Sequence, residues 1–305
     1  MVSKFGLYAY GLVGTSPKQL NILGIDKKNK VYPVEGRGMY VCVSKIDSNK
    51  FQDEIKKLLS ELPKTAGAVP GGAEELLRSH ENVVNVLSKL TTVVPFKFGT
   101  ILKDEKATSA MLQYYGDRFK KLLSKFTGRE EWGIKVYADN QEFKKYIAKE
   151  EPRFNPSINS GLTPSGLSLR VEDLGEAPHR LVQGEAERVK NLKKKKEKSS
   201  RGADYLLGKK MEEELKDEVN RQLAEVANAV VRQAEKYALE AQVNKTLPKK
   251  ITGKEEEMIL NSTYLIEKGK VSSFNKQIEK LREEYESVGL GIEVSGPWPA
   301  YSFVS

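Results

Sequence analysis

The sequence is poor in the residues that build most chemical centres. Cys42 is the single cysteine in 305 residues, which excludes an intrachain disulfide and suits a reducing compartment. His80 and His179 are the only histidines, too few to complete a Cys/His zinc cluster with that one thiol. No Gly-x4-Gly-Lys-Ser/Thr occurs, so a Walker-type phosphate cradle is excluded. No run approaches the ~18–20 consecutive apolar residues that span a bilayer, so no membrane span is expected. The apolar stretch from Phe5 to Val13 contains Tyr8 and Tyr10 and has no A-x-A site after it, so it reads as a first β-strand rather than a signal peptide.

What the sequence does have is positive charge, with Lys+Arg 51 against Asp+Glu 42 and a net +9. Basic chains invite a nucleic-acid reading, so the location of the charge matters. Residues 187–201 hold eight basic against two acidic side chains, a net +6, and the rest of the chain is close to neutral. Just upstream, residues 152–168 contain three Pro, four Ser, two Gly and two Asn, a composition that cannot bury enough side chain to offset its ordering entropy. Together, about 152–200 reads as a flexible insertion ending in a basic patch of Lys193, Lys194, Lys195, Lys196 and Lys198. Such a run is stable as a solvated extension, and it could also touch nucleic acid, anionic lipid or an acidic protein face. It carries no aromatic residue to stack a base, and the RNA-recognition signature of a basic residue followed by Gly-aromatic-Gly/Ala-Phe-Val is missing. RNA binding through a ferredoxin-like sheet and the Lys193–Lys198 run is the alternative function, and no specific nucleic-acid partner is expected.

At roughly 100–200 residues per domain, the length predicts two domains. In the first, strands are expected at Lys4–Val13, in a hairpin of Asn21–Asp26 with Val31–Glu35, at Met39–Ile46, and at Thr92–Leu102 with an interruption at Pro95. Phe51, Ile55, Leu58, Leu59 and Leu62 mark a helix, as do Leu76, His80, Val83, Leu87 and Leu90. Asp104 can cap a third helix that Gly128 ends. The second domain restarts at Glu131–Ala138, with a short helix at Gln141–Lys149. Ala203–Asn244 has no proline and repeats apolar residues from Met211 to Ala241 every 3.75 residues or so, which predicts one long amphipathic helix. A strand at Asn261–Glu267, a helix between Ser273 and Gly289 and a strand at Leu290–Val294 complete the pattern. The class is α+β, with an N-terminal mixed domain over 1–128 and a C-terminal ferredoxin-like domain over 129–305 that carries the insertion.

No constellation points to catalysis. The glycines of Gly67–Gly72 lack a lysine, and Glu74 and Glu75 occupy the helix start where an anion would sit, so the segment reads as a connector. His80 falls on the apolar register of its helix and is expected to be packed and hydrogen-bonded. Cys42 sits inside a strand, and His179 lies in the insertion. The adjacent Glu130 and Glu131 point to opposite faces of a strand, which is poor geometry for paired acid–base work.

Several segments are informative as an ordered set. They are Leu7-Tyr8-Ala9-Tyr10-Gly11-Leu12-Val13, His80 before Val83-Val84, Val93-Val94-Pro95-Phe96-Lys97-Phe98-Gly99-Thr100 and Glu131-Trp132-Gly133-Ile134-Lys135-Val136. Gly202-Ala203-Asp204-Tyr205-Leu206-Leu207, Thr263-Tyr264-Leu265-Ile266 and the closing Gly296-Pro297-Trp298-Pro299-Ala300-Tyr301-Ser302-Phe303 follow. In this set the chain resembles the gas vesicle protein F/L (GvpF/GvpL) family over its whole length apart from the insertion, with Ala300 standing where the family usually has a second proline. The resemblance implies a two-domain cytoplasmic protein needed to assemble gas vesicles, the hollow protein-walled flotation organelles of prokaryotes. It implies a minor or accessory component that contacts the small hydrophobic wall protein and other gas vesicle accessory proteins, with no catalytic group, metal or cofactor. Leu7, Tyr8 and Tyr10 of the first strand, and Trp298, Pro299, Tyr301 and Phe303 of the closing segment, are the candidate partner contacts. Both segments suit core packing as well, since buried Trp and Tyr are ordinary core residues.

Overall fold

The computed structural model describes residues 5–17, 20–60, 71–148 and 201–304, so the basic patch at Lys193–Lys198, His179 and the 152–200 insertion lie outside the described residues. Two antiparallel sheets organise the chain, each the centre of an α+β domain. The first has the order β2-β3-β1-β4, formed by Tyr32–Gly36 (β2), Met39–Asp47 (β3), Phe5–Val13 (β1) and Val93–Pro95 (β4), with Ile101–Leu102 (β5) also on β1. β1 is central and buried on both faces, which is why its sequence lacks the alternation of a half-exposed strand. Leu7, Ala9 and Leu12 join one core with Val34, Val41 and Val94, while Tyr8, Tyr10 and Val13 join another with Ile46, Phe51, Val84 and Leu87.

Three helices cover this sheet: Ser48–Ser60 (α1), Gly71–Leu90 (α2) and Glu105–Phe126 (α3). Asp104 caps α3 as expected, its carboxylate accepting the Ala107 N–H at 2.7 Å. At the other end, Gly128 turns the chain with φ +72, a conformation that only glycine adopts without strain, and leads it into the second sheet.

Two expectations for the first domain change in detail. Asn21–Asp26 forms no strand; Leu23 and Lys30 make a single bridge around a turn in which the Asp26 carboxylate accepts the Lys28 and Asn29 N–H groups. The expected strand Thr92–Leu102 divides into β4 and β5. Between them the chain swings away, yet Phe96 N–H still donates to Tyr10 O and Ala9 N–H to Thr100 O, both at 2.9 Å, so the edge of β1 stays satisfied.

The second sheet has the order β7-β8-β6-β9, made by Ala238–Val243 (β7), Glu257–Glu267 (β8), Arg129–Ala138 (β6) and Leu290–Trp298 (β9). Asn140–Ala148 (α4), Arg201–Glu235 (α5) and Val271–Glu286 (α7) cover one face, and a single turn at Lys249–Thr252 (α6) precedes β8. The chain order strand, helix, strand, strand, helix, strand, with the first and third strands central, is the ferredoxin-like split βαβ arrangement. The expected long helix ends earlier than its periodicity suggests. It stops at Glu235, and Ala238–Val243, expected as its last turns, is the strand that completes the sheet. β7 is an edge strand exposed on both faces, so no burial period marks it in the sequence. The core between sheet and helices includes Ile134, Val226, Val230, Tyr264, Ile278 and Tyr285. Phe274 lies at its centre, fully buried, with its ring near those of Trp132, Tyr237 and Tyr264. Phe274→Ala is expected to cost about 3–5 kcal/mol in urea unfolding of the chain.

Candidate partner-binding site

Several of the motif segments that are scattered through the sequence, those around Tyr8, His80, Phe98, Glu131, Leu265 and Phe303, meet at the junction of the two sheets. β1 supplies Tyr8 and Tyr10 to a buried aromatic cluster, and α2 supplies His80. The His80 ring stacks on Tyr10 with centroids 5.8 Å apart and meets Tyr8 edge-on at 5.7 Å. Each tyrosine hydroxyl ties a distant loop to β1. Tyr8 Oη accepts the Gly99 N–H at 3.0 Å and shares a hydrogen bond with His80 Nδ1 at 3.0 Å. Tyr10 Oη accepts the Ile25 N–H at 2.7 Å and pairs with Ser44 Oγ at 2.8 Å. These bonds explain why two phenols are placed in a fully buried strand: each satisfies backbone groups of connections that cross the sheet. Burial is the main cause of the shifts here. It pushes Tyr10 up to about 12 and Cys42, buried elsewhere in the same core, up to about 12. It pulls His80 down to about 4, against a weaker opposing pull from the Phe96 carbonyl.

The closing segment enters this junction from the other sheet. β9 runs beside β6 until Trp298 stands opposite Glu131. Gly296, at φ +139 and joined to Pro297 by a cis peptide, passes so close to β6 that a Cβ there would sit 2.9 Å from the Trp132 ring and 3.0 Å from the Glu131 carbonyl. A 3₁₀ turn at Tyr301–Phe303 follows. The Glu131 carboxylate, buried, accepts the Ser302 N–H at 2.9 Å and the Ser302 hydroxyl at 2.7 Å. Burial raises the Glu131 pKa, and the two Ser302 bonds draw it back by favouring the charged form. Ala300 and Phe303 are thereby inserted into the core of the first sheet beside Leu7, Val94, Leu123 and Phe126, and Leu265 of β8 joins them. Lys125 Nζ, at the end of α3, donates to the Phe303 carbonyl at 3.2 Å and to Glu240 of β7 at 2.8 Å.

Of the candidate contacts, Leu7, Tyr8, Tyr10, Pro299 and Phe303 are buried, whereas Trp298 is 46% exposed and Tyr301 37%. Trp298 therefore presents its side chain to solvent, whereas Tyr301 is only part-exposed: its phenol lies near Glu81, Tyr8 and Glu131, and burial raises its pKa. Phe98, from the loop between β4 and β5, is also partly exposed, and its ring lies 5.8 Å from that of His80, on which Tyr301 also rests at 6.3 Å. Sequence reasoning missed Phe98 and Glu131. The signal for Glu131 was available in the hydrophobic company of its segment, Glu131-Trp132-Gly133-Ile134, where a lone carboxylate needs donors from elsewhere.

The sheet does not offer the platform that the RNA reading requires. The face of β6 and β8 away from the helices carries Glu131, Gly133, Lys135 and Tyr137 with Asn261, Thr263 and Leu265; its one aromatic ring, Tyr137, is buried under Lys254, and Glu131 and Leu265 are buried at the junction. Among the described residues, no group of three or more His, Cys, Asp or Glu side chains is placed to hold a metal ion, and no helix is long and apolar enough to cross a membrane.

The fold and the junction define a two-domain α+β protein whose distinctive residues serve packing, hydrogen bonding and the display of two or three aromatic rings. The chain belongs to the gas vesicle synthesis protein GvpL/GvpF family, whose sequence profile matches residues 6–166 and 161–305. It is similar to gas vesicle protein L of a Streptomyces species, 24% identical over 74% of this chain and 67% of that one. It is also similar to gas vesicle protein L1 of Halobacterium salinarum, 22% identical over 98% and 90% of the two chains. Its fold is that of the crystal structure of GvpF from Microcystis aeruginosa, with a TM-score of 0.57, 19% identity and 98% and 99% of the two chains covered. GvpF from Anabaena sp. PCC7120 gives 0.58, 19%, 99% and 96%. Family membership supports a role in gas vesicle assembly.

The buried histidine gives the junction a pH signature. The folded His80 value of about 4 lies below its ordinary 6.5, so the unfolded chain takes up the proton first as pH falls. The stabilising neutral form is fully present above 6.5 and its contribution is lost between 6.5 and about 4. Glu131, raised, works in the opposite direction as pH rises through its folded value. In denaturant unfolding at pH 7 and pH 4, His80→Gln is expected to lose less stability on acidification than the wild type, by about 3 kcal/mol, with Glu131 contributing equally to both. An equal acid loss in the two proteins contradicts the assignment of His80 as the buried neutral group.

Proposed function

We propose that this chain is an accessory protein of gas vesicle assembly in the cytoplasm that holds the small hydrophobic wall protein, in company with other accessory proteins, and delivers it to growing particles. A wall that excludes water needs subunits with a large apolar face, and before assembly such a face is an aggregation hazard. A protein that covers it reversibly needs exposed aromatic side chains on a rigid support rather than a chemical centre. The observation that carries this reading is the exposure of Trp298, with Tyr301 part-exposed beside it, on a closing segment where Pro299, Ala300 and Phe303 are buried and Ser302 is hydrogen-bonded. Trp and Tyr are the residues that most often dominate the energy of such contacts. The rest of the candidate set acts as support: Leu7, Tyr8 and Tyr10 hold the sheet on which Tyr301 rests through His80.

Co-expression with the wall protein, followed by capture on a tag on this chain, tests the reading. Trp298→Ala removes a half-exposed ring and leaves the core intact, so the variant is expected to fold with an unchanged melting temperature and to capture roughly tenfold less wall protein, the loss of about 1.4 kcal/mol. Undiminished capture by the folded variant removes the closing segment from the binding surface.

A further inference from the structure

The Glu131–Ser302 contact does more than fill a core. A carboxylate placed at the inner end of a sheet junction is costly to bury unless donors meet it, by several kcal/mol for an unpaired charge. An apolar residue at position 131 would pack without that cost. Instead Glu131 receives both donors of one residue, the N–H and Oγ–H of Ser302, at 2.9 and 2.7 Å. Two convergent bonds to one side chain fix position and orientation, which hydrophobic contacts of Ala300 and Phe303 alone would leave free to slide. The residues fixed are those on either side: Tyr301, next in the turn, against His80, and Trp298, whose backbone pairs with Glu131 itself. The same carboxylate residue thus meets the segment twice, once through the strand register at Trp298 and once through its side chain at Ser302. Lys125 closes the end by donating to the Phe303 carbonyl.

From this geometry we infer that Glu131 and Ser302 are the positioning pair of the partner-binding segment: they set how Trp298 and Tyr301 are presented, without touching the partner. The inference rests on the proposed wall-protein contact. Breaking the pair shifts the segment from its docked form to undocked ones, and the apparent affinity falls by the fraction still docked. Hydrogen bonds to a charged group are the stronger ones, so losing one of the two is expected to weaken capture by roughly tenfold.

The test uses the full chain with co-expressed wall protein and four variants: Ser302→Ala, Ser302→Thr, Glu131→Gln and Trp298→Ala. Ser302→Ala is expected to capture about tenfold less wall protein, and Ser302→Thr, which keeps the hydroxyl, to stay within about twofold of the wild type. Glu131→Gln keeps one acceptor oxygen and is expected to fall between them. A second readout is the acrylamide quenching of tryptophan. The chain has two tryptophans, Trp132 and Trp298, and Ser302→Ala is expected to make Trp298 more quenchable, with the Trp132→Phe background isolating its signal. Wild-type capture by Ser302→Ala, alongside lost capture by Trp298→Ala, overturns the positioning role and leaves the wall-protein reading standing. Normal capture by Trp298→Ala removes the closing segment from the binding surface and the positioning role with it, while no capture of wall protein by the wild type sinks the wall-protein reading itself. Lost capture by Ser302→Ala with unchanged Trp298 quenching, or with a general loss of folded structure, also overturns the positioning role, because the effect then comes from somewhere other than presentation of the ring.

Discussion

One buried carboxylate organises the junction on which the exposed aromatic rings depend. Glu131 lies where β6 leaves the second sheet's core and approaches the first, and among the described residues no cation pairs with it; its carboxylate is met by the N–H and hydroxyl of Ser302. Because a half-satisfied buried charge is worse than none, the arrangement is all or nothing. With both bonds made, the closing segment has a single register, Phe303 enters the core beneath β1, and the two sheets share hydrophobic contacts through Leu265, Ala300 and Phe303. The junction beneath the exposed rings is therefore built from distant parts of the chain.

The buried tyrosines of β1 serve the same end by other means. A strand covered on both faces would ordinarily be built from Val, Ile and Leu. Tyr8 and Tyr10 add hydroxyls that reach the backbone of Gly99 and Ile25, holding in place the loops that flank His80 and carry Phe98. Tyr301 rests on a ring that is itself held by stacking and one hydrogen bond. Rigidity at the surface follows from satisfaction beneath it, and a rigid aromatic surface loses little conformational entropy when a partner covers it.

The parts of the fold legible in the sequence are those where burial has a period. The apolar spacings at Leu76–Leu87 and Phe274–Tyr285 become helices, Asp104 is the cap it was read to be, and the order of strands and helices after residue 129 gives the ferredoxin-like sheet. Legibility fails where burial has no period. β7 is exposed on both faces, and Tyr237 and Ala241 happen to continue the spacing of the preceding helix, so the strand was hidden in it. The turn at Asp26–Asn29 is set by a side chain bonding its own backbone rather than by a strand pair. At the site, Trp298 and Tyr301 were visible as aromatics in a proline-rich segment, but the burial of Leu7, Tyr8 and Tyr10 and the pairing of Glu131 with Ser302 depend on contacts 171 residues apart in sequence for that last pair, which no local pattern encodes.

If the Glu131–Ser302 pair holds the closing segment in the junction, the Ser302 amide must be protected beyond the level of a free terminus, and that protection must depend on the pair. Native-state hydrogen exchange of the whole chain measures this directly at the Ser302 amide. The account predicts protection at Ser302 above that of a free terminus, through a local opening of about 1–2 kcal/mol that lies well below the global unfolding releasing the central amides of β1, and loss of that protection in Glu131→Ala. Exchange at the rate of a fraying terminus, while β1 stays protected, would contradict it.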